Sequence, residues 1–446
     1  MLSLEQNRQV KEGFRMWFGE KKYAWGLLAV LWVFGCIAAL SRFVMAYYQA
    51  AITEDFAVGR SFISLSWSLN LLIAALCMPL GGWLVDRYGV KKVMVLSTLF
   101  GATGSSMVFF VHHPVAFFIG YGIITGLVGI GSTTVFTLVL HWFERHRAKA
   151  MTIINSASPL GLAIVSPIFI SYEGQLTWEY AFLITAALGI GLVLPSTLLF
   201  IRDGRNSGKG ADSGAPDQAA EASGQPEETG QAATPSRSGL PLRRLREKFV
   251  PYFGSPVIPV VMFALFTCGF NMGTVEMNMV AIHQHAHVPG TMIASALSLL
   301  GVMEVAGSFV FGYLLDRISR ALALAVLYGF RVLGFTLLWF HLDLSPVLFS
   351  VLFGATYIGA IPGGLLLAGE TLKGTSTQTG LLLLFHQAGG IIGALVAGFL
   401  FDSFGNYQSL IGVNITIAAL VAAGYAWLHL RSRSKREASR PSAAQA

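Results

Sequence analysis

The sequence predicts an all-α membrane protein of twelve transmembrane helices arranged as two sets of six. Three observations predict it. The first is composition: 54% of the 446 residues are hydrophobic and only 12% are Asp, Glu, Lys or Arg. A soluble domain carries about a quarter charged residues. With a mean hydropathy of +0.63, polar groups cannot cover the surface, and the solvent has to be lipid. The second is periodicity of a coarse kind. Twelve apolar runs of about 20 residues recur, each the length that crosses a bilayer as a helix. The third is charge placement. If the N-terminus and the even-numbered loops share one side, that side holds 27 of the 30 Lys and Arg residues. That asymmetry is a positive-inside signal, with both termini cytoplasmic.

The elements follow in order. Residues 1–23 are a polar, basic cytoplasmic segment, too polar for a signal peptide. Six spans follow at 24–47, 61–85, 93–111, 115–141, 149–171 and 180–201, forming an N-terminal bundle over 24–201. Hydrocarbon leaves no water to satisfy backbone groups, so each run is helical. The alternating ten-residue segments of a barrel do not occur. Adjacent spans are a few residues apart, which makes neighbours antiparallel. Residues 202–256 form a cytoplasmic linker. Within it, 203–240 is rich in Gly, Ser, Ala, Pro, Gln and Glu and is expected to be disordered. Leu242 to Tyr252 is basic, either orientation charge or a short helix on the anionic inner leaflet. The second bundle, 257–430, holds spans at 257–282, 291–315, 320–341, 345–369, 377–401 and 408–430, and 431–446 is a cytoplasmic tail.

Several function classes drop out. The net charge of +7 is orientation charge, so nucleic acid is not a partner. Cys36, Cys77 and Cys268 lie in apolar runs without metal or redox spacing and read as small packing residues. No nucleophile elbow, phosphate loop, HExxH or CxxC is present, so neither an enzyme nor a cofactor is expected. His283, His285 and His287 resemble a metal tract only loosely and are expected in a solvated outer loop. Glycines 120, 122, 126, 129 and 131 in span four, and 389, 390 and 393 in span eleven, are spaced for close helix contact.

After span two the chain reads Gly82-Trp83-Leu84-Val85-Asp86-Arg87-Tyr88-Gly89-Val90-Lys91-Lys92, and after span eight Gly312-Tyr313-Leu314-Leu315-Asp316-Arg317-Ile318-Ser319-Arg320. This pair resembles the G-x-L-x-D-R-x-G-x-K-K signature of the major facilitator superfamily, once per half. The second copy has Ser319 for the glycine and a shortened basic run. The Trp142 to Met151 run, Ser158-Pro159-Leu160-Gly161, Phe266 to Phe270, Phe385 to Gly390 and Phe401 to Tyr407 resemble the monocarboxylate-porter branch. So do Glu54-Asp55-Phe56 and Arg60 to Leu65. The resemblance implies two pseudo-symmetric six-helix bundles that rock about a midplane site. It implies that Gly82, Asp86, Arg87, Gly89 and Lys91, with Gly312, Asp316 and Arg317, form a cytoplasmic gate. There a small glycine allows close helix approach and the aspartate caps or pairs across the halves. It further implies a bacterial inner (plasma) membrane and a monomer.

Ionisable residues inside spans are functional candidates because each costs several kcal/mol there. Arg42 and Glu276 lie about 27 and 28 Å along spans one and seven, at 1.5 Å per residue. The two charges are expected to meet across the outer half of the cavity, where an anion competes with Glu276 for Arg42. Glu304 and Arg331, about 18 and 16 Å from the cytoplasmic ends of spans eight and nine, are expected to form a buried ion pair. His386 lies mid-membrane within reach of proton exchange. Tyr121, Asn155, Asn271, Asn278 and Tyr357 are candidate neutral hydrogen-bond partners for a substrate. The function expected is secondary transport of a small, monocarboxylate-like organic anion, coupled to protons or by exchange. The alternatives are an exporter of amphipathic drugs or metabolites and a non-transporting membrane sensor.

Overall fold

The computed structural model describes residues 21–144, 146–172, 174–202, 255–371 and 376–438. The linker segments 203–240 and 242–252 therefore lie outside the described residues. Twelve helices are long and apolar enough to cross a membrane. They are α1 (Lys22–Asp55), α2 (Arg60–Tyr88), α3 (Val90–Phe110), α4 (Pro114–Trp142), α5 (Arg147–Ser171) and α6 (Trp178–Phe200), then α7 (Val257–His285), α8 (Gly290–Arg317), α9 (Arg320–Phe340), α10 (Ser345–Gly369), α11 (Ser376–Phe404) and α12 (Gln408–Ala438). Large apolar side chains such as Phe110, Leu199, Phe340 and Leu384 stand out from the bundle. Only hydrocarbon can cover them.

The first helix runs eight residues past its expected end; of these, Tyr48, Gln49 and Ile52 are buried, while Ala51, Glu54 and Asp55 are exposed. Three helices are irregular. In α4 a π-helical stretch, Phe118–Ile124, passes into a 3₁₀ stretch, Gly126–Gly131. A π-helical turn, Gly189–Val193, interrupts α6. α10 breaks between Tyr357 and Ala360. Such irregular turns free backbone carbonyls and re-aim side chains.

Within the N-terminal half, α2 packs on α4, α3 on α6 and α1 on α5; within the C-terminal half, α7 packs on α11, α8 on α10 and α9 on α12. The α7–α11 contact is backbone to backbone. A Cβ on Gly269 would sit 1.9 Å from the His386 carbonyl oxygen, and one on Gly389 would sit 2.0 Å from that of Phe266. The halves meet through α2 and α11, α5 and α8, and α1 and α7. Ser68 Oγ donates to the Ile391 carbonyl at 3.0 Å, and Ser298 Oγ to that of Ala163 at 2.9 Å.

The seam is unequal at its two ends. The Lys- and Arg-rich loops mark a basic end, which holds Lys21, Arg87, Lys91, Arg317 and Arg320. At the opposite end one apolar core joins both halves, running from Phe43, Ile52 and Phe182 to Val280, Leu297 and Ile411. At the basic end the halves keep separate cores. The structure is closed at the opposite end.

Candidate functional site

A cavity of about 420 Å³ opens at mid-depth in the N-terminal half, with Arg42 and Glu276 on its wall. The two charges meet: Arg42 Nη2 lies 2.5 Å from Glu276 Oε1. Arg42 Nη1 also donates to Ser158 Oγ at 2.9 Å. The Tyr357 hydroxyl donates to Glu276 Oε1. The pair thus ties α1 and α5 of the first half to α7 and α10 of the second, and α1 and α7 occupy equivalent places in the two halves. Next to it the α1–α7 seam is sealed by Gln49 Nε2 donating to the Met277 carbonyl at 2.6 Å.

Below the pair, the cavity is lined by Trp67, Asn70, Tyr121 and Thr125. The π-helical stretch of α4 matters here. It turns the Tyr121 carbonyl out of the helix ladder, where it accepts from Asn70 Nδ2 at 2.8 Å and from the Thr125 hydroxyl. Asn70 also donates to Thr125 Oγ1 at 2.8 Å. Tyr121 stacks on Phe117, with ring centroids 5.7 Å apart. The wall therefore offers one cation, amide and hydroxyl groups, and an indole ring.

Glu304 and Arg331 do not pair. Glu304 is 6% exposed and has no hydrogen-bond or ion-pair partner among the described residues. Its electrostatic neighbours are Arg42 and Glu276. Arg331 is fully buried in the C-terminal half. Its Nη2 donates to the Thr356 carbonyl at 3.0 Å and the Tyr357 carbonyl at 3.4 Å, at the break in α10. Its guanidinium lies 5.2 Å from the Tyr328 and Phe353 ring centres. Equal depth along two helices does not set which face a side chain occupies, and α8 and α9 turn these two groups apart.

Asn271 is not on the cavity wall. Its Nδ2 donates to Asn414 Oδ1 at 2.7 Å, and its Oδ1 accepts from Arg331 at 3.5 Å. Asn278 is buried against its own helix, and Asn155 is exposed. His386 Nε2 faces Met272 Sδ at 3.4 Å. His283 is buried rather than in a solvated loop, while the His285 ring packs on Phe401 and Tyr407. Alternate residues of a helix point to opposite sides, so His283 and His285 share no face, and His287 lies beyond the end of α7. Among the described residues the exposed Asp55 and His112, with the half-buried Glu179, form a group of imidazole and carboxylate ligands that could hold a metal ion. There His112 Nε2 is 3.4 Å from Asp55 Oδ2.

The two basic-end motifs are disengaged. Neither Asp86 nor Asp316 has a hydrogen-bond or ion-pair partner among the described residues. A Cβ at Gly82 or Gly312 would meet nothing within 4 Å, so neither glycine is at a close helix contact in this state. Arg87 and Arg317 lie over Trp83 and Tyr313, at 5.4 and 5.2 Å from the ring centres. Lys91 Nζ donates to the Leu198 carbonyl at 2.5 Å, which joins α3 to α6. Gly89 has φ 88° and makes the α2–α3 turn in a region L side chains avoid. The second copy needs no glycine: Ser319 has φ −61° and caps α9 through Leu322 N at 3.3 Å.

The counterpart at the opposite end is engaged. Asp402, at the end of α11, accepts from the backbone N–H of Arg60 and of Ser61, both at 2.8 Å. It thus caps the free N–H groups at the start of α2, where the N-cap residue is Gly59, from the other half of the chain. Arg60 lies over the Phe401 ring at 5.3 Å. Tyr407 packs beneath; burial, with Asp402 adding to it, pushes its phenol up to about 12. Sequence reasoning assigned no role to Asp402, Asn70, Trp67 or Ser158. A lone amide in the apolar run of span two was the signal available for Asn70. Asp402 contacts backbone, which leaves no signature in side-chain spacing.

Comparison with known proteins agrees with this architecture. The chain is 25% identical over 415 residues to the uncharacterized MFS-type transporter YcxA of Bacillus subtilis, covering 89% of this chain and 93% of that protein. It is 24% identical to monocarboxylate transporter 4 of Rattus norvegicus, covering 94% and 86%. The solved structure of the nucleoside transporter NupG superposes with a TM-score of 0.67 at 13% identity, covering 92% and 99%, and so shares the fold. The Major Facilitator Superfamily profile matches residues 31–381 and 261–446. With twelve membrane spans in two six-helix halves about a charged central cavity, the chain belongs to the Major Facilitator Superfamily and is a multi-pass secondary transporter.

Proposed function

We propose that the chain carries a small organic anion whose carboxylate binds Arg42, with proton coupling through Glu276 and Glu304. The observation that carries this reading is the Arg42–Glu276 pair on the cavity wall. A guanidinium binds a carboxylate through paired hydrogen bonds. An incoming carboxylate that takes Arg42 strips Glu276 of its counter-ion. Protonation of Glu276 would likewise free Arg42 for that carboxylate, which couples the proton to the anion. Anion and proton then bind together, which is symport. Glu304, buried and unpartnered beside the pair, is a second place for that proton. Asn70, Thr125 and Trp67 suit a cargo with a hydroxyl or keto group and a small apolar body. The similarity to monocarboxylate transporter 4 fits the same class.

In this reading the basic end is cytoplasmic, in line with the Lys and Arg distribution, and the protein sits in the inner membrane. The twin motifs around Asp86 and Asp316 latch that end in the alternate state. The test is uptake of radiolabelled lactate, pyruvate and oxalate into proteoliposomes, with and without an inward proton gradient, for wild type and Arg42→Ala. Uptake that follows the gradient and is lost in Arg42→Ala is the expected result. Uptake that ignores the gradient but responds to a trapped internal anion replaces symport with exchange. Uptake of none of the three overturns the monocarboxylate reading in favour of export or a larger cargo.

A further inference from the structure

The C-terminal half contains a cluster of donors that the anion reading does not use. Cys268 Sγ lies 3.6 Å from Met272 Sδ, one turn on along α7. His386 Nε2, on α11, lies 3.4 Å from the same Met272 Sδ. Cys268 Sγ, Met272 Sδ and His386 Nε2 thus stand at the corners of a triangle, two sides of which these distances set. We propose that Cys268 Sγ, Met272 Sδ and His386 Nε2 form a binding site for a soft monovalent metal ion, Cu(I) or Ag(I).

Thiolate and thioether are the ligands that select such ions, and imidazole is compatible with them. With bond lengths like those at zinc, about 2.3 Å to sulfur and about 2.0 Å to nitrogen, the donors of one ion lie roughly 3.3–4.0 Å apart. Both separations in the structure fall within that span. No carboxylate hydrogen-bonds to the three groups among the described residues, and a set of thiol, thioether and imidazole favours a soft ion over a hard one. The triangle is held by the rigid contact beside it. Gly269, next to Cys268, abuts the carbonyl of His386 itself, and Gly389 abuts that of Phe266. The donors are therefore preorganised by two helices whose backbones touch. Cys268 is fully buried, while Met272 and His386 are half-buried and give an ion its route in.

The electrostatics are compatible with loading. The Arg331 guanidinium lies near Cys268. On binding, the thiol proton leaves to solvent and the metal–thiolate unit is neutral, so no second bare charge is placed beside the guanidinium. His386 presents Nε2 to the ion and keeps its proton on Nδ1.

The test uses the full-length chain in detergent with Cys36 and Cys77 replaced by Ser, titrated anaerobically with Ag(I), and with Cu(I) against a chromogenic Cu(I) chelator. One equivalent of metal is expected to bind. Cys268→Ser should abolish binding, and Met272→Leu and His386→Gln should each weaken it by about tenfold or more. Unchanged affinity in both of those variants would mean ligation by a lone thiol and would overturn the site, as would the absence of a bound equivalent. X-ray absorption on the Cu(I)-loaded parent needs no ligand variant. A shell of two sulfurs and one nitrogen supports the proposal, and any shell without both sulfurs and the nitrogen refutes it. Neither measurement depends on the anion that Arg42 binds.

Discussion

Replacing Asp402 by Asn isolates the closure of the seam at the end opposite the basic loops. Asp402 accepts two backbone N–H groups of α2, each at 2.8 Å, from across the halves. Asn keeps one acceptor oxygen, loses the other and loses the negative charge that faces the helix N-terminus. Losing an N-cap costs about 1 kcal/mol, within a range of about 0.5–2. These contacts exist only while the halves are closed at this end, so the whole cost falls on one side of the conformational equilibrium. One kcal/mol is about a fivefold change in that equilibrium. The assay is labelling of a cysteine at Val280, buried in the joint core, by a membrane-impermeant maleimide. It is run in a background where Cys36, Cys77 and Cys268 are replaced by Ser. Asp402→Asn should raise the labelling rate about fivefold, with an upper bound of roughly thirtyfold. Gly59→Ala should act in the same direction, because its Cβ would sit 2.5 Å from Asp402 Oδ2 and push the carboxylate off the cap. Unchanged labelling in both variants, with normal elution on size exclusion, would show that the Asp402 cap does not hold this end shut.

Three further outcomes are expected. Gly269→Val should sharply reduce the yield of folded protein on fluorescence-detected size exclusion, because its Cβ meets a backbone carbonyl at 1.9 Å and neither helix can give way. Arg331→Met should lower thermal stability by about 1–3 kcal/mol, since the Thr356 and Tyr357 carbonyls at the α10 break lose their donor; a thermal melt equal to wild type would refute that role. His341, at the end of α9, is held below the ordinary histidine range by burial and by the neighbouring His285. Its folded form binds its proton at lower pH than the unfolded chain does, so it contributes stability that is present above the unfolded pKa of about 6.5 and is lost as pH falls below it. His341→Gln should flatten that part of the stability–pH curve, and an unchanged curve would exclude it as the source.

The spans, their number and the sidedness signal were legible because the bilayer imposes them residue by residue. An apolar run of the right length has one stable form in hydrocarbon, and basic residues accumulate on one side whatever the fold does. Depth was legible too, since a helix advances by a constant rise, and Arg42 and Glu276 do lie at one level and meet. Azimuth was not. Glu304 and Arg331 share a depth yet point into different surroundings, and only the rotation of α8 and α9 in the packed bundle decides that. The sequence by itself determined that the chain is a two-part helical membrane protein with costly charges at stated depths. The tertiary structure alone decided three further things: which helix faces look into the cavity, that Asp402 caps a helix more than 340 residues earlier, and that His386 of α11 completes a triangle begun on α7. The reason is physical. Local periodicity encodes burial against lipid, whereas contacts between backbones and between distant helices depend on rotations that no single helix specifies.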